Sequence, residues 1–390
     1  MIAVITLCLQ LVLVSAVPVS IQTSMNTGEE IWESAVYEEI DNNTGMDSIM
    51  SNISFEEIDN VLDDILNHSE LGFQDIMQGL IQGDFGFSEQ YEGSIKEFII
   101  EEISFNKKDM TYLLILAVSA SVFSVFTEVL KDKQIADTWF YMLYLMMCVV
   151  VFGAFREIME CALDASKDLV SFIEVLVPAY SLSVSLATGP CTGAGFYQCT
   201  LILISLIGNV INVLIIPMTQ AFVIVKIINY ISEEDILSRM AGLFESGVKW
   251  MLKTSMAMLV GFQVIQSLLA PAIDSLKNTS VSKALSAIPG IGGAAGAVTE
   301  MLFGSAVLVK NGIGTAAIII ILIICIPPLI KIAVFTISYK VMAAVVQPVT
   351  DKRFTGCMAA AADGGALVLK SCAMIAAMFM LSIAIVGLSK

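Results

Sequence analysis

The chain has 390 residues, of which 57% are hydrophobic and 15% charged, and its formal net charge is -17. Soluble domains carry about 25% charged residues, so the composition excludes an ordinary globular enzyme built around one aqueous-facing core. The acidity excludes nucleic-acid recognition through a basic surface, because binding phosphates needs clustered Lys and Arg.

The charge is segregated. Met25 to Glu102 holds 20 of the 37 carboxylates and a single base, Lys96, whereas Ile103 to Lys390 holds 17 acids against 19 bases. An acidic stretch stays in water, and long uncharged apolar runs prefer hydrocarbon. The expected fold class is therefore all-α: a polytopic helical membrane protein of seven or eight transmembrane helices with a small helical, acidic exported domain. Residues 1–24 read as a signal peptide, 25–105 as the acidic extracytoplasmic domain, and 106–390 as the multi-span membrane domain.

Ile2 to Val14 is apolar and leads through Ala16, Pro18 and Ser20 into a polar stretch. A short apolar core followed by small residues is the pattern of a secretory signal; no Lys or Arg precedes it here, which leaves an uncleaved N-terminal anchor as the alternative. Within the acidic segment, Ile58, Val61, Leu62, Ile65 and Leu66 recur at helical spacing, opposite Glu56, Glu57, Asp59, Asp63 and Asp64. A second helix is expected from Tyr91 to Ile103, with Gly72, Gly79, Gly83 and Gly86 punctuating the chain between. This domain reads equally as a docking surface for an extracytoplasmic partner and as a solvated cap.

Uncharged runs mark the expected crossings. Met110–Thr127 has 18 residues and Trp139–Phe155 has 17. Val175–Val225 has 51, broken near Thr188-Gly189-Pro190 into two passes, and Thr254–Ile273, Asn311–Ile330 and Ser371–Ser389 come after it. Each suits a hydrocarbon core of about 30 Å at about 1.5 Å per helical residue. Pro289–Val309, rich in Gly and Ala, is either a close-packed span or a re-entrant hairpin, which sets the count at eight or seven. Glu233–Lys253 is amphipathic and reads as an interfacial helix or a docking surface. Lys and Arg distribute too evenly between alternate loops to fix orientation.

Residues 178–273 and 289–389 read either as an internal repeat or as a chance coincidence of Pro and Lys near membrane helices. Pro178 and Pro289 both precede uncharged spans, Ile216-Pro217-Met218 recurs as Ile326-Pro327-Pro328, and Glu245 before Lys253 resembles Asp363 before Lys370. Three passes per unit would place the two units in opposite orientation.

The chemistry-bearing residues are sparse. Cys148, Cys161, Cys191, Cys199, Cys325, Cys357 and Cys372 lie in or beside apolar segments with no Cys-x-x-Cys pair, so they read as packing residues and neither a metal site nor a disulfide framework is expected. His68 is the only histidine, and no nucleophile–base constellation accompanies it. No Gly-x-x-x-x-Gly-Lys-[Ser/Thr] loop occurs, which argues against a nucleotide-driven pump. No catalytic role and no cofactor is expected. For transport, Glu300 stands out as a carboxylate in a small-residue segment, read either as a pathway group or as one near a surface or in a structural pair. Lys310 lies ten residues on, about 15 Å along a straight helix. Asn209 and Asn212 share a helical face and serve either as packing glue or as a substrate contact.

One stretch is recognisable. Lys310, Asn311 and Gly314, the apolar run to Pro327-Pro328, and then Tyr339, Lys340, Gln347 and Pro348 resemble the stage III sporulation protein AE family of endospore-forming bacteria. The resemblance extends more loosely over residues 110–390. It implies a mother-cell membrane subunit, in the membrane facing the forespore, of the channel complex that joins the two compartments. The implied partners are other proteins of the stage III sporulation A operon, including the AA ATPase and the AG and AH ring proteins, together with stage II sporulation protein Q. Homo-oligomers are compatible with the reading, a bilayer is implied, and nucleic acid is not. The alternative is an autonomous secondary transporter for a small solute.

Overall fold

The computed structural model describes residues 55–65, 72–82, 110–122, 133–188, 192–197, 200, 210–231, 236–286 and 292–388. The regular elements among them are all helical.

Two short helices come from the acidic segment, α1 (Glu56–Ile65) and α2 (Phe73–Gln82). Ile58 and Leu62 bury one face of α1, while Glu56, Glu57, Asp63 and Asp64 remain exposed. The carboxylates of its first turn also suit the positive end of the helix dipole. The backbone N–H of Phe73 donates to Asp59 Oδ1 at 2.6 Å, and the Phe55 and Phe73 rings stack at 5.7 Å, which fastens the two helices together. The expected helix around residues 58–66 is therefore present. α2 was hidden by its glycines: Gly79 lies inside it, and burial of Phe73 and Met77 outweighs the cost of about 1 kcal/mol for an internal glycine. The signal segment, His68 and the expected helix at 91–103 lie outside the described residues.

The apolar region begins with α3 (Met110–Val122). Four long helices dominate the chain beyond it: α4 (Lys133–Ala187), α6 (Ser238–Ser286), α7 (Gly292–Val346) and α8 (Lys352–Gly387). The shorter α5 (Ile216–Ile231) precedes α6 and is entered through a π-helical turn, Val210–Ile215. Pro217 comes directly after that turn, where its missing N–H and its ring disfavour regular α-helical hydrogen bonding. Thr138–Ala187, Gly304–Val346 and Lys352–Gly387 are long and apolar enough to cross a membrane.

Two expectations about crossings are corrected. No turn separates Trp139–Phe155 from the run starting at Val175, because α4 is continuous through the charged interval. Phe155, Ile158, Ala162, Ala165, Leu169, Phe172 and Leu176 are buried at alternating spacings of three and four. That stripe keeps the intervening chain helical and packed. The second correction concerns Pro289–Val309. From Gly292 the chain runs as one helix through Lys310 to Val346, so the Gly/Ala segment forms neither a hairpin nor a separate crossing, and Lys310, Asn311 and Gly314 lie within that helix. Gly314 serves packing there, since a Cβ on it would lie 3.0 Å from Tyr180 Oη.

α8 is the central element, packing against α7, α4, α5 and α6. α4 runs parallel to it: the Tyr144 ring meets Phe354 at 5.8 Å near one end, and Tyr180 Oη donates to the Ile383 carbonyl at 3.3 Å near the other. α7 runs antiparallel to both, with Phe335 beside Gly365 and Gly314 beside Tyr180. α5 is antiparallel to α8, with Val223 against Gly364 and Tyr230 against Gly356. α6 returns along α5, Gly247 lying against Met218, and bonds to α8 through Gln263 and Ser382. Helices α5 and α7, which carry the Ile-Pro steps at Pro217 and Pro327, thus point the same way, as do their successors α6 and α8. The hairpins α5–α6 and α7–α8 are therefore co-directional, whereas an inverted repeat would set them opposed. α1 packs on α4 and α2 on α7, so part of the acidic segment joins the main apolar cluster.

Candidate functional site: a charged stripe and two interhelix ion pairs

The residues singled out from sequence do not converge. Glu300 lies in the early turns of α7, and its side chain is outside the described residues. Asn209 is likewise outside them, and Asn212 falls in the π-helical turn with its side chain undescribed. Lys310 is buried within α7. Ten residues of continuous helix separate it from Glu300, about 15 Å along the axis. Asn311 and Gly314 belong to the same helix. Tyr339 is fully buried and its ring lies 4.2 Å from that of Phe335, while Lys340 is exposed. Gln347 and Pro348 form the turn into α8, whose N-terminus is capped by Asp351 accepting from the Arg353 N–H at 2.9 Å. The family-like tail is therefore a tight helical hairpin connection.

The structure instead brings together charges that lie far apart in the chain. Lys331 Nζ on α7 donates to Glu157 Oε1 on α4 at 3.0 Å, and Lys226 on α5 pairs with Asp363 on α8. The two pairs flank one packing level. A Cβ on Gly364 would fall 2.8 Å from the Phe155 ring, and one on Gly365 would fall 3.1 Å from Phe335. Absence of side chains at 364 and 365 lets the four helices approach where the ion pairs cross between them. Nearby, Tyr144 Oη donates to the Ile227 carbonyl at 2.8 Å, joining α4 to the end of α5. Asn229 Oδ1 accepts from the Leu237 N–H at 2.7 Å, ordering the entry to α6.

From that level α4 carries an outward row of ionisable groups: Arg156, Glu160, Asp164, Lys167 and Glu174, all exposed, with half-buried Asp168 beside them. Arg156 pairs with Glu160 at 2.7 Å and Lys167 with Asp164 at 2.9 Å, both within the helix. Their side chains are 56–80% exposed. Exposed pairs of this kind return about 0–1 kcal/mol. Turned toward hydrocarbon, each ionised group would cost about 2.5–3.5 kcal/mol at mid-depth, so pairing alone does not make this face compatible with lipid. The spacing of four, four, three and seven residues along the helix was the signal available in the sequence.

The apolar faces contrast with it. Met240, Leu243, Trp250, Met258, Phe262, Ile265 and Leu269 on α6 are large and exposed. Met240, Leu243 and Trp250 were expected on an apolar face, but they belong to one 49-residue helix rather than to a short interfacial one, and Ile236 lies just before its start. No group of three or more metal-ligating side chains occurs among the described residues.

The family described as stage III sporulation protein AE matches residues 71–389. A relative bearing that name from Bacillus subtilis (strain 168) is 21% identical over 308 residues, covering 78% of this chain and 77% of the relative. No solved structure matches the chain. The match takes in α2 to α8 and the hairpin connection at Gln347-Pro348, and on it the chain belongs to the stage III sporulation protein AE family.

Proposed function

We propose that this chain is a membrane core subunit of the channel complex joining mother cell and forespore, acting in the mother-cell membrane as a structural and conducting element. The family match over residues 71–389 carries the reading. Three helices long and apolar enough to cross a membrane, packed around α8, agree with it. The partners come from the family: the AA ATPase, the AG and AH ring proteins, and stage II sporulation protein Q. Energy for any directed movement then comes from the ATPase, since the sequence has no phosphate-binding loop of its own. The co-directional hairpins weaken the case for an autonomous inverted-repeat transporter.

The test is copurification and complementation. The full chain, produced in sporulating cells lacking their own copy, restores late forespore gene expression and brings down the AA ATPase from solubilised membranes. A chain that supports solute flux alone in vesicles, yet neither complements nor copurifies, defeats the reading.

A further inference from the structure

We propose that the start of α8, together with the aromatic residues near the start of α4, seats anionic phospholipid headgroups of the leaflet it faces. The inference needs a membrane but not the channel role, so it goes beyond the reading above.

Two bases stand beside an aromatic step. The Arg353 guanidinium lies 4.7 Å from the centre of the Phe140 ring, and that ring meets Phe354 edge-on at 5.3 Å. Lys352, next in the chain to Arg353, is exposed. On α4, Phe140 is flanked by Trp139 and Tyr141, which are 40% and 47% exposed. Tryptophan and tyrosine favour the headgroup level, where an apolar ring and a polar N–H or O–H are both satisfied. Asp351, the carboxylate nearest the two bases in sequence, accepts from the Arg353 backbone N–H as the cap of α8. Cations in the first turn of a helix oppose its dipole, so these two gain from an external anion.

The surface adjoining the bases is apolar. The outer face of α4 continues from the aromatic step as Met142, Leu145, Met146 and Val149, each at least half exposed. No charged residue follows Trp139 on α4 before Arg156, and those 17 residues rise about 26 Å, close to a bilayer core of about 30 Å. On α7, between the Lys331 pair with Glu157 and the turn into α8, Ile337, Val341 and Val345 are exposed. The one charged residue between Lys331 and Asp351 is a further base, Lys340. The side chains of residues 133–137, and residues 232–235, lie outside the described residues. A soluble anion would use the bases and leave this apolar surface bare. An anionic phospholipid uses both, with its phosphate against Lys352 and Arg353 and its chains along α4.

The test uses the full chain with Trp32→Phe and Trp250→Phe, which leaves Trp139 as the sole tryptophan. The chain is reconstituted in phosphatidylcholine vesicles, and its fluorescence is quenched by brominated phosphatidylglycerol or brominated phosphatidylcholine at matched fractions. Phosphatidylglycerol is expected to occupy the positions beside Trp139 at least about fivefold more readily, the gain from roughly one base near a charged surface. Lys352→Gln, at an exposed position, should lower that ratio while Lys352→Arg preserves it, and adding Arg353→Gln to Lys352→Gln should bring it to parity. Equal quenching by the two lipids, quenching by neither, or a preference that survives Lys352→Gln with and without Arg353→Gln would each overturn the site. Loss of the preference on adding inorganic phosphate would assign the bases to a soluble anion and overturn it as well. Copurification with the ATPase is scored separately, so losing this site leaves the channel-subunit reading standing.

Discussion

The Glu157 carboxylate on α4 accepts a hydrogen bond from Lys331 Nζ on α7 at 3.0 Å, four residues after Pro327 on α7. The lysine side chain is 26% exposed and the glutamate 41%, so water screens the pair without dissolving it. Removing one partner leaves the other partly desolvated. We expect Glu157→Gln or Lys331→Met to cost about 1–2 kcal/mol, below the range for fully buried pairs. The exchange Glu157→Lys with Lys331→Glu should recover much of that loss. Thermal aggregation of the detergent-solubilised chain, compared across the four members of the cycle, measures it; additive losses in the double exchange would show that the pair contributes nothing.

Close approach at Gly364 leads to a second prediction. A methyl there would meet the Phe155 ring at 2.8 Å and Val223 more closely still, on α4 and α5 respectively. Gly364→Ala should therefore destabilise by about 1–3 kcal/mol through overpacking. Gly153 on α4 has nothing within 4 Å of the corresponding position. Gly153→Ala should be neutral or stabilise by about 0.5–1 kcal/mol, because the helix loses a flexible residue. Yield of monodisperse chain by size-exclusion chromatography separates the two.

Much of this architecture was legible in the sequence, and what was missed has physical causes. The uncharged run Asn311–Ile330 and the apolar end of α8 are visible because lipid-compatible helices need long stretches without charge. Helix α1 shows because Ile58 and Leu62 recur at one-turn spacing. The same run-counting misleads at Arg156–Glu174, where charges suggest a loop; the buried series Phe155, Ile158, Ala162, Ala165, Leu169 shows a helix instead. Pairings such as Lys226 with Asp363 join residues far apart in the chain, and no local pattern announces them. Glu300 attracted attention as a lone carboxylate, whereas the clustered charges on α4 are recognised only once α7 is set beside them.

The parallel packing of α4 and α8 can be checked through their thiols. Cys148 lies one turn after Tyr144, and Cys357 lies one turn after Phe354, whose ring meets that tyrosine at 5.8 Å. Both thiols are buried. Copper-phenanthroline oxidation should join them within one chain, since the Tyr144–Phe354 contact sets the two turns side by side. Peptide mass spectrometry would find the Cys148–Cys357 link, and Cys357→Ser would abolish it. A Cys148 link to a different cysteine would contradict the α4–α8 register.

The last prediction sets the α4 face against the carboxylate first noticed in sequence. Glu300 lies two helical turns before Val307, which is exposed on α7. A single neutral replacement there removes one charge from a Gly/Ala-rich stretch, and we expect Glu300→Gln to retain complementation and membrane assembly. The combined change Glu160→Gln, Asp164→Asn and Glu174→Gln removes three of the four acids in the α4 row beyond Arg156 while keeping side-chain volume and helix propensity close to the original. It also removes the carboxylates that pair with Arg156 and Lys167, leaving Asp168 as the one acid of that row. Ionisable groups at membrane depth face cavities or partners rather than acyl chains, so the triple variant should reach the membrane normally yet reduce late forespore gene expression. Scored beside crosslinked complex, the opposite pattern, with loss at Glu300 and none on α4, would place the functional carboxylate at the N-terminal end of α7.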